Sequence, residues 1–573
     1  MISKQRKCME SPIFSSPAFD FNGIQLRYTP TRVCEKQQVC TGQTGYVVST
    51  YVFDQKNIVD KEQKQLQPPE SASDYWVLDD FQFDDLSSPV LPFLETSKLE
   101  IAQSRAVEET SCPPSVSSLE LLRNVRTGLK NFKGEISDCA GNKTDEVRRS
   151  LSTEEIFRVA GARYIQQSQR NNDFPMLSHP YDYSFLHLSE EETRDVQLAH
   201  LLFAAVEKVD SKQYGRATKL LDRCGWVASE TGSPVQRVVF YFSAALRERI
   251  VREMGTTTTM AKGLDALENI GLLNAVHHFN LATLACYQEL PLTQVMTYTG
   301  VQILVDNVTS ATKVHLVDLA IRSGVQWTIF MQALADCRDC AIKILKISAV
   351  GLKGNLQMKE TGKRLASFAK SLNLTFSFRE IYVSDMKDLK EELFEIEDDE
   401  VVGIYAPLIL RTTLSRPRLL EGVMTALTKL NPSIMVVGEI EANHNSVSFA
   451  TRFIEALFFF GAFYDCLEDC LEQNNKYRTI IEAVYFGNGI RNIIGSEGEE
   501  RITRSVKMDV WRAFFARYGM VELELSESCL YQASLLVKQF ACGGSCTLDK
   551  NGQSLLVGWK GTPIHSVSAW KFC

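Results

Sequence analysis

From residue 308 onward, short runs of β-branched residues alternate with longer stretches in which apolar residues recur at helical spacing. The first pattern indicates buried strands and the second indicates amphipathic helices. The strands predicted are Lys313–Asp318, Ile342–Val350, Leu374–Ile381, Val401–Tyr405, Ser433–Ile440 and Met520–Leu525. The helices predicted between them include Met358–Ser371, Asp385–Phe394 and Arg416–Leu430. Alternation of this kind predicts a doubly wound, mostly parallel sheet with helices on both faces.

Upstream of the sheet, residues 186–307 show only helical patterns. Ser189 and Glu192 have the spacing of a capping box, in which each side chain binds the backbone amide of the other residue. Ser233 and Pro234 have the composition of a second helix start, and this helix is predicted to run to about Arg252. We therefore expect a helical cap at 186–307 and a sheet domain at 308–573.

The end of the chain, Ser545–Phe572, predicts two or three antiparallel strands around a turn at Asp549–Gly552. Parallel strands that finish in an antiparallel pair are similar to the order found in Rossmann-like methyltransferases. The fold class predicted is therefore α/β, with a Rossmann-like (methyltransferase-like) core under an α-helical cap.

Residues 1–185 are rich in serine, proline, glutamine and acids, and we expect a mostly disordered regulatory region. Such a composition buries too little apolar surface to offset the loss of backbone entropy on folding. Two pieces, Ser115–Phe132 and Thr153–Gln169, have helical spacing and are predicted to be transient helices.

Within this region, Ser73–Val90 interleaves aromatic and acidic residues, and no lysine or arginine occurs from Gln65 to Ser97. One interpretation is an activation-type segment whose aromatic side chains dock on a partner, and the other is a plain acidic linker. In the first interpretation the partner-binding candidates are Trp76, Phe81 and Phe83.

Composition narrows the classes of function. The 573 residues carry a formal net charge of −8, whereas a protein that grips nucleic acid over a broad face is usually basic. The 15 cysteines are odd in number and lack the spacing of a disulfide framework. Cys337 and Cys340 have no second pair to complete a zinc site, and we expect them to be small buried residues.

Targeting signals are weak in this sequence. Neither a signal-peptide core nor an apolar run of about 20 residues is present, so we expect a reduced, soluble, intracellular protein. Lys4–Lys7 is a weak candidate for a nuclear address.

The loop after the first strand, Asp318–Gly324, contains one glycine. A nucleotide or S-adenosylmethionine site needs several glycines there, because the backbone must approach the ligand and present free amides. The second strand also lacks the terminal acid that would hold ribose hydroxyls. We therefore predict no cofactor, no metal and no enzymatic activity.

Two polar clusters have more than one interpretation. Glu439, Glu441 and His444 are residue types that serve in catalysis or ligand binding, but their surroundings also suit a structural strand-to-helix turn. A stretch predicted to be one basic helix, Glu499–Tyr518, either presents a solvated face or binds DNA phosphates. In the second case the candidates for DNA binding are Arg501, Arg504 and Arg512.

Several motifs along Thr193–Phe572 occur in a characteristic order. Val314–Asp318 has the sequence VHLVD, and GVQW follows at Gly324–Trp327. Helices rich in leucine flank this pair, EANHN follows the fifth strand, and tryptophans with a final SAW close the chain. The residues concerned are Val314, His315, Leu316, Val317, Asp318, Gln326, Trp327, Glu441, Asn443, His444, Asn445, Trp511, Gly519, Trp559, Ser568, Ala569 and Trp570.

In this order the motifs resemble those of the GRAS family of plant transcriptional regulators, whose VHIID, PFYRE and SAW regions they match. Two positions depart from the pattern: Thr328 stands where the family has proline, and Val506 stands where a glutamate is expected five residues after Arg501. Neither a DELLA segment nor its companion motif occurs in residues 1–185, so we expect the chain to fall outside the gibberellin-degraded subgroup.

The resemblance implies a nuclear regulator, with the cytoplasm left open as a second location. It implies protein partners, namely transcription factors (zinc-finger proteins among them) and other GRAS chains in homo- or heterodimers, and no established catalysis. Two alternatives stand beside it: a direct sequence-specific DNA-binding factor, and a Rossmann-like small-molecule-binding or methyltransferase enzyme.

Overall fold

The computed structural model describes residues 150–169, 188–255, 285–337, 340–352, 356–471 and 476–572. Its α-helices are Thr153–Gln169 (α1), Glu190–Asp210 (α2), Tyr214–Val227 (α3), Pro234–Glu253 (α4), Pro291–Val308 (α5), Val325–Asp336 (α6), Leu356–Ser371 (α7), Pro417–Lys429 (α8), Phe449–Cys470 (α9), Lys476–Ile480 (α10), Gly487–Ile490 (α11), Met508–Ala516 (α12) and Glu527–Val537 (α13). Its strands are Lys313–Asp318 (β1), Ile344–Leu352 (β2), Thr375–Val383 (β3), Val401–Pro407 (β4), Ile434–Ile440 (β5), Met520–Leu523 (β6), Cys546–Asn551 (β7), Ser554–Trp559 (β8) and Thr562–Phe572 (β9).

The strands form one sheet in the order β3-β2-β1-β4-β5-β9-β8-β7, and β6 also pairs with β9. Strands β1 to β5 are parallel, and the pairs that involve β6, β7, β8 and β9 are antiparallel. The predicted α/β class and mostly parallel, Rossmann-like sheet are confirmed. The sixth predicted strand, β6, lies antiparallel to β9.

Alternate residues of the strands face two different helical layers, as the period of two requires. On one face, Leu316 and Gly403 lie against Leu304 of α5. On the other face, Val317, Ile404, Met435 and Val437 join a core built with α8 and α12.

The cap is centred on α9, a helix that is buried on most of its circumference. Phe453 packs edge-on against Phe203 of α2 and Phe242 of α4, with ring centroids 6.5 and 5.4 Å apart. The cap predicted at 186–307 thus needs a helix from the second half of the chain. Helix α5, which the sequence placed in the cap, lies on the sheet.

Helix α1 has the bounds that the sequence predicted, but it is packed into the folded part of the chain. The Thr153 amide and hydroxyl donate to the Asp465 carboxylate of α9 at 2.9 and 2.5 Å. Ile156, Phe157 and Ala160 are buried. Folded residues therefore occur upstream of residue 186, the boundary that composition suggested. Ser115–Phe132 lies outside the described residues.

The helix starts are confirmed at two sites. Ser189 and Glu192 form the reciprocal capping box, and Ser233 accepts a hydrogen bond from the Gln236 amide. The helix predicted at Asp385–Phe394 is wrong, because the segment forms two 3-10 turns, Met386–Asp388 and Glu391–Leu393. Asp385 and Asp388 close a capping box around the first turn, and the backbone is extended at Lys390. Within the described residues, no helix is both long and apolar enough to cross a membrane.

Candidate functional site

The carboxylate of Asp318, the last residue of β1, is fully buried and organises the loop after it. Its Oδ1 accepts a hydrogen bond from the Ala320 amide at 2.9 Å, and its Oδ2 accepts from Gln326 Nε2 and Trp327 Nε1, both at 2.8 Å. Burial raises the pKa of Asp318 to about 6, and the three hydrogen bonds oppose that rise. Asp318 therefore fastens the start of α6 to the end of β1.

Trp327 fills the space beyond the carboxyl end of β1, where doubly wound sheets bind their ligands. Its buried ring packs edge-on against Tyr405 and Phe330, with centroids 5.5 and 6.2 Å apart. The loop's glycine, Gly324, has a φ of 72°, and a Cβ there would lie 2.7 Å from Thr361 Cγ2. This glycine serves a left-handed turn and close packing against Thr361 and Leu365.

His315 is also structural, but its partners belong to the sheet. Its Nδ1 lies 2.8 Å from Glu400 Oε2, and its Nε2 lies 2.7 Å from Ser348 Oγ. Burial lowers the pKa of His315, although Glu400 opposes that effect. The side chain therefore ties β1 to β2 and to the residue before β4.

The segments 441–445 and 501–508, which the sequence offered as separate candidate sites, bind each other, and we call this junction the clasp. Glu441 accepts a hydrogen bond from the Met508 amide at 3.0 Å and so caps the start of α12. The Asn445 amide donates to the Ser505 carbonyl at 3.1 Å. Burial raises the pKa of Glu441 to about 7. Of the two interpretations, the structural turn fits these contacts.

Glu439 lies beside the clasp at the end of β5. Its Oε1 accepts a hydrogen bond from the Arg411 amide at 3.1 Å, in the 3-10 turn Leu410–Thr413. Burial raises the pKa of Glu439 to about 7, and the nearby guanidinium of Arg411 opposes that rise. The backbone amide of Asn443 donates a hydrogen bond to Glu455 Oε2 at 3.4 Å. The N-cap residue of α9 is Ser448.

The candidate DNA-binding arginines are engaged within the molecule. Arg501 is buried and donates to the His444 carbonyl at 2.8 Å, and Arg504 donates to Asn445 Oδ1 at 3.2 Å. Arg512 donates to Glu522 at 2.7 Å. The prediction of one basic helix over Glu499–Tyr518 is wrong, because residues 501–507 form neither helix nor strand and the α-helix spans only Met508–Ala516. In this non-helical segment, Arg501 and Arg504 reach the His444 carbonyl and the Asn445 amide oxygen of the clasp.

His444 is sealed between aromatic rings. It lies parallel to Phe460 and edge-on to Phe459, with centroids 6.2 and 5.1 Å apart. Among the described residues, neither ring nitrogen has a hydrogen-bond partner. Burial lowers the pKa of His444 to about 3, and the charges of Arg411, Lys507 and Arg501 add to that effect. A neutral, enclosed imidazole of this kind serves as a packing residue.

Acidification is expected to destabilise the protein through His444. Between pH 6.5 and about 3, the unfolded chain binds a proton at this residue and the folded chain does not. Stability therefore falls as the pH falls, by about 1.4 kcal/mol per pH unit. His444→Leu should remove this contribution, so urea unfolding at pH 7, 6 and 5 should show a smaller loss in the variant than in the native protein.

The exposed neighbour Val447, changed to leucine, provides the control in the same loop. Buried acids such as Glu439 and Glu441, with raised pKa values, have the opposite dependence, because their contribution is lost as the pH rises through about 7. They are present in both proteins, so the difference between the two pH profiles reports His444. Parallel profiles would contradict the assignment.

The remaining motif residues near the chain end are core residues. Trp570 packs against Phe515 with centroids 4.7 Å apart, and its Nε1 donates to Ser568 Oγ at 2.8 Å. Ala569 pairs with Val436 of β5. Gly519 has a φ of 68° in the turn before β6. The other buried tryptophans of this block are Trp511 and Trp559.

One apolar side chain stands out on the cap. Trp226, near the end of α3, is 81% exposed, and Val227 beside it is also exposed. Arg216, Lys219 and Arg223 recur at helical spacing on the same side of α3, which we call the α3 outer face. The opposite side of the helix buries Ala217, Leu221 and Cys224. Sequence reasoning missed this face, although the position of Trp226 among charged residues, opposite the apolar stripe, was a usable signal.

The sequence candidates Trp76, Phe81 and Phe83 lie outside the described residues. The candidates within the described residues form two groups. One lies at β1 and the start of α6, and the other comprises the clasp and the C-terminal block around Trp570. Both groups are largely buried, whereas the α3 outer face is exposed and carries the aromatic side chain of Trp226.

Comparison with known proteins gives a consistent result. A model of the GRAS domain family matches residues 198–571. DELLA protein GAI1 of Vitis vinifera is 28% identical over 388 residues, which span 67% of this chain and 63% of that protein. DELLA protein RGL3 of Arabidopsis thaliana is 29% identical over 383 residues, or 66% of this chain and 70% of that protein. The crystal structure of SCL7 in Oryza sativa matches with a TM-score of 0.55 and 25% identity, covering 62% of this chain and 94% of that one.

Proposed function

The chain belongs to the GRAS domain family, and on that premise we propose that it is a plant nuclear transcriptional regulator that acts by binding other proteins. The partners proposed are transcription factors, zinc-finger proteins among them, and a second GRAS chain. The acidic-aromatic segment with Trp76, Phe81 and Phe83 is proposed to recruit further proteins.

The buried strand ends support a binding role over catalysis. Trp327 and Gln326 lie at the carboxyl end of β1, where sheets of this kind bind cofactors. Both donate hydrogen bonds to Asp318 Oδ2. His444 and Glu441 are enclosed in the clasp, so the residue types that suggest acid–base chemistry have structural partners instead.

The observation that carries the proposal is the α3 outer face. An exposed tryptophan is costly in water and is the residue type most enriched in interface hot spots. Three cationic side chains at helical spacing lead up to Trp226, so the face fits a partner with an apolar pocket and acidic rim. Contact through one helix face requires no opening of the cap.

Trp226→Ala is expected to weaken partner binding by at least about tenfold, with little change in stability, because the side chain is exposed in the free protein. The native protein and the variant would be used to capture partners from plant nuclei, followed by mass spectrometry and titration of each captured transcription factor. The fraction retained and the dissociation constant are the readouts.

Tyr531→Ala is the matched control, because Tyr531 of α13 is 60% exposed on another helix. Lys219→Glu combined with Arg223→Glu should slow association and reduce its dependence on salt. Equal binding by native protein, Trp226→Ala and Tyr531→Ala would remove the α3 outer face from the proposal. A specific DNA complex of the isolated protein, steeply weakened by salt, would favour direct DNA binding instead.

A further inference from the structure

Four cysteines meet where the last turn of α9 approaches the start of β7. Cys466 and Cys470 lie one helical turn apart on α9, and Cys542 and Cys546 flank the 3-10 turn Gly543–Ser545. The sulfur atoms of Cys470 and Cys542 are 2.8 Å apart. This distance is less than 1 Å longer than a covalent S–S bond of about 2.05 Å.

Access differs between the two pairs. Cys466 and Cys546 are buried, whereas Cys470 and Cys542 are partly exposed. A small oxidant can therefore reach the outer pair first. The buried thiols of Cys466 and Cys546 lie beside the outer pair, and Cys466 shares a hydrogen bond with Cys470.

From this geometry we propose that Cys470 and Cys542 are a modification site, at which a hydroperoxide forms a reversible disulfide between α9 and the turn before β7. The site is independent of the α3 outer face and of the function proposed above. Its closed loop runs from 471 to 541 and contains the 501–508 half of the clasp.

The chemistry balances with one hydroperoxide. The sulfur of one thiol takes an oxygen atom, the O–O bond breaks, and an alcohol or water leaves with the thiol proton. The second thiol attacks the resulting sulfenic sulfur, so the S–S bond forms, the S–O bond breaks and water leaves. Two electrons pass from the two sulfurs to the peroxide. A thiol such as glutathione reverses the step by disulfide exchange.

A shared metal ion fits the site less well. A tetrahedral zinc with Zn–S bonds of about 2.3 Å holds two thiolate sulfurs roughly 3.8 Å apart. The sulfurs of Cys470 and Cys542, at 2.8 Å, are much closer than that. Within the described residues, no group of three or more metal-binding side chains is arranged to hold an ion.

The surroundings keep the thiols protonated at rest. The hydrogen bond with Cys466 raises the pKa of Cys470, the hydrogen bond with Cys470 raises that of Cys542, and burial raises the pKa of Cys546 to about 12. Since the thiolate is the nucleophile, oxidation should be slow at pH 7 and accelerate by about tenfold per pH unit up to pH 9.

The full-length protein, purified in reductant and then freed of it, would be treated with hydrogen peroxide, quenched by alkylation and digested without reduction. We expect a Cys470–Cys542 linked peptide two hydrogen masses lighter than the two free peptides together. The thermal midpoint should rise by about 5 °C, because a loop of about 70 residues is closed. Dithiothreitol should reverse both changes.

Cys470→Ser and Cys542→Ala should each abolish the linked peptide and the shift in midpoint. Cys337→Ser should leave both intact. Cys337 lies beyond α6 and is exposed, so the expectation from the sequence that it is buried is wrong. Peptide mapping of the native protein needs no variant, so a folding defect in one variant leaves the test decisive. A peptide linking other cysteines, alkylation of all four thiols after peroxide, or stoichiometric zinc bound by the four would overturn the proposal.

Discussion

Replacing Trp327 with alanine is expected to destabilise the protein by about 4 kcal/mol. A fully buried indole is lost, and the rigid carboxyl end of the sheet cannot collapse into the cavity left behind. The change also removes one of the three hydrogen-bond donors to Asp318. Urea unfolding at pH 7, followed by circular dichroism, would measure it. Trp327→Phe keeps most of the volume and loses the N–H group, so its cost should be about 1–3 kcal/mol.

Trp226→Ala is the control for this substitution, because it removes the same side chain from the exposed α3 outer face. Its effect on unfolding should stay within about 0.5 kcal/mol. If Trp327→Ala unfolded within 1 kcal/mol of the native protein, about the spread expected of surface changes, the crevice beyond β1 would not be filled as described.

Arg237→Ala is expected to cost about 4 kcal/mol, because the buried Glu482 carboxylate loses its nearer cation and keeps Arg478, whose Nε lies 4.0 Å away. The Arg237 and Glu482 side chains are each 1% exposed, and Arg237 Nε lies 3.1 Å from Glu482 Oε1. The pair joins α4 to the π-helical turn Ile481–Phe486. Arg247→Ala is the control on the same helix, since its ion pair with Asp222 is exposed and is worth at most about 1 kcal/mol.

The loss in Arg237→Ala should depend on pH in a defined direction. Burial raises the pKa of Glu482 to about 7, and Arg237 opposes the rise, so removing Arg237 raises it further. A carboxyl with a raised folded pKa favours the folded state below pH 4.5, and this contribution is lost as the pH rises through the folded pKa. The variant should therefore be closer to the native protein at pH 5 than at pH 8. Arg237→Met with Glu482→Leu should regain much of the loss. Glu468, whose Oε2 lies 2.9 Å from Arg237 Nη1, loses that contact in both variants and keeps Arg478. A double variant no more stable than Arg237→Ala would contradict a pairwise origin.

The strand pattern was predictable because the central parallel strands β1, β4 and β5 are buried on both faces and consist of short β-branched runs. Lys313–Asp318 was predicted with the bounds it has in the structure, and the ends of the others moved by only a few residues. Helix starts at Ser189 and Ser233 were also predictable, because a helix cap is a contact between residues close in sequence.

The packing positions of the most apolar helices could not be predicted from the sequence. Pro291–Val308 and Phe449–Cys470 are apolar on nearly all sides, so their periodicity does not say which face meets which neighbour. The first lies on the sheet and the second is the centre of the cap. Their positions depend on which of several apolar surfaces packs best, and that choice involves residues hundreds of positions apart.

The candidate sites show the same division. Glu441, His444, Arg501 and Arg504 are polar residues of the kinds used in catalysis or phosphate binding, and composition alone leaves those roles open. Only the folded chain brings them together, about 60 positions apart. Glu441, Arg501 and Arg504 then each bond a group of the other segment, and the His444 ring is enclosed by phenylalanines.

By itself the sequence determined the α/β alternation, the glycine-poor loop after Asp318 and the order of motifs that resembles the GRAS family, because each is a local pattern of residue types. The tertiary structure alone decided that Trp327 closes the strand-end crevice, that the two polar segments form a clasp, that Trp226 remains exposed and that Cys470 meets Cys542. These outcomes depend on distances between side chains far apart in the chain, which no local pattern specifies.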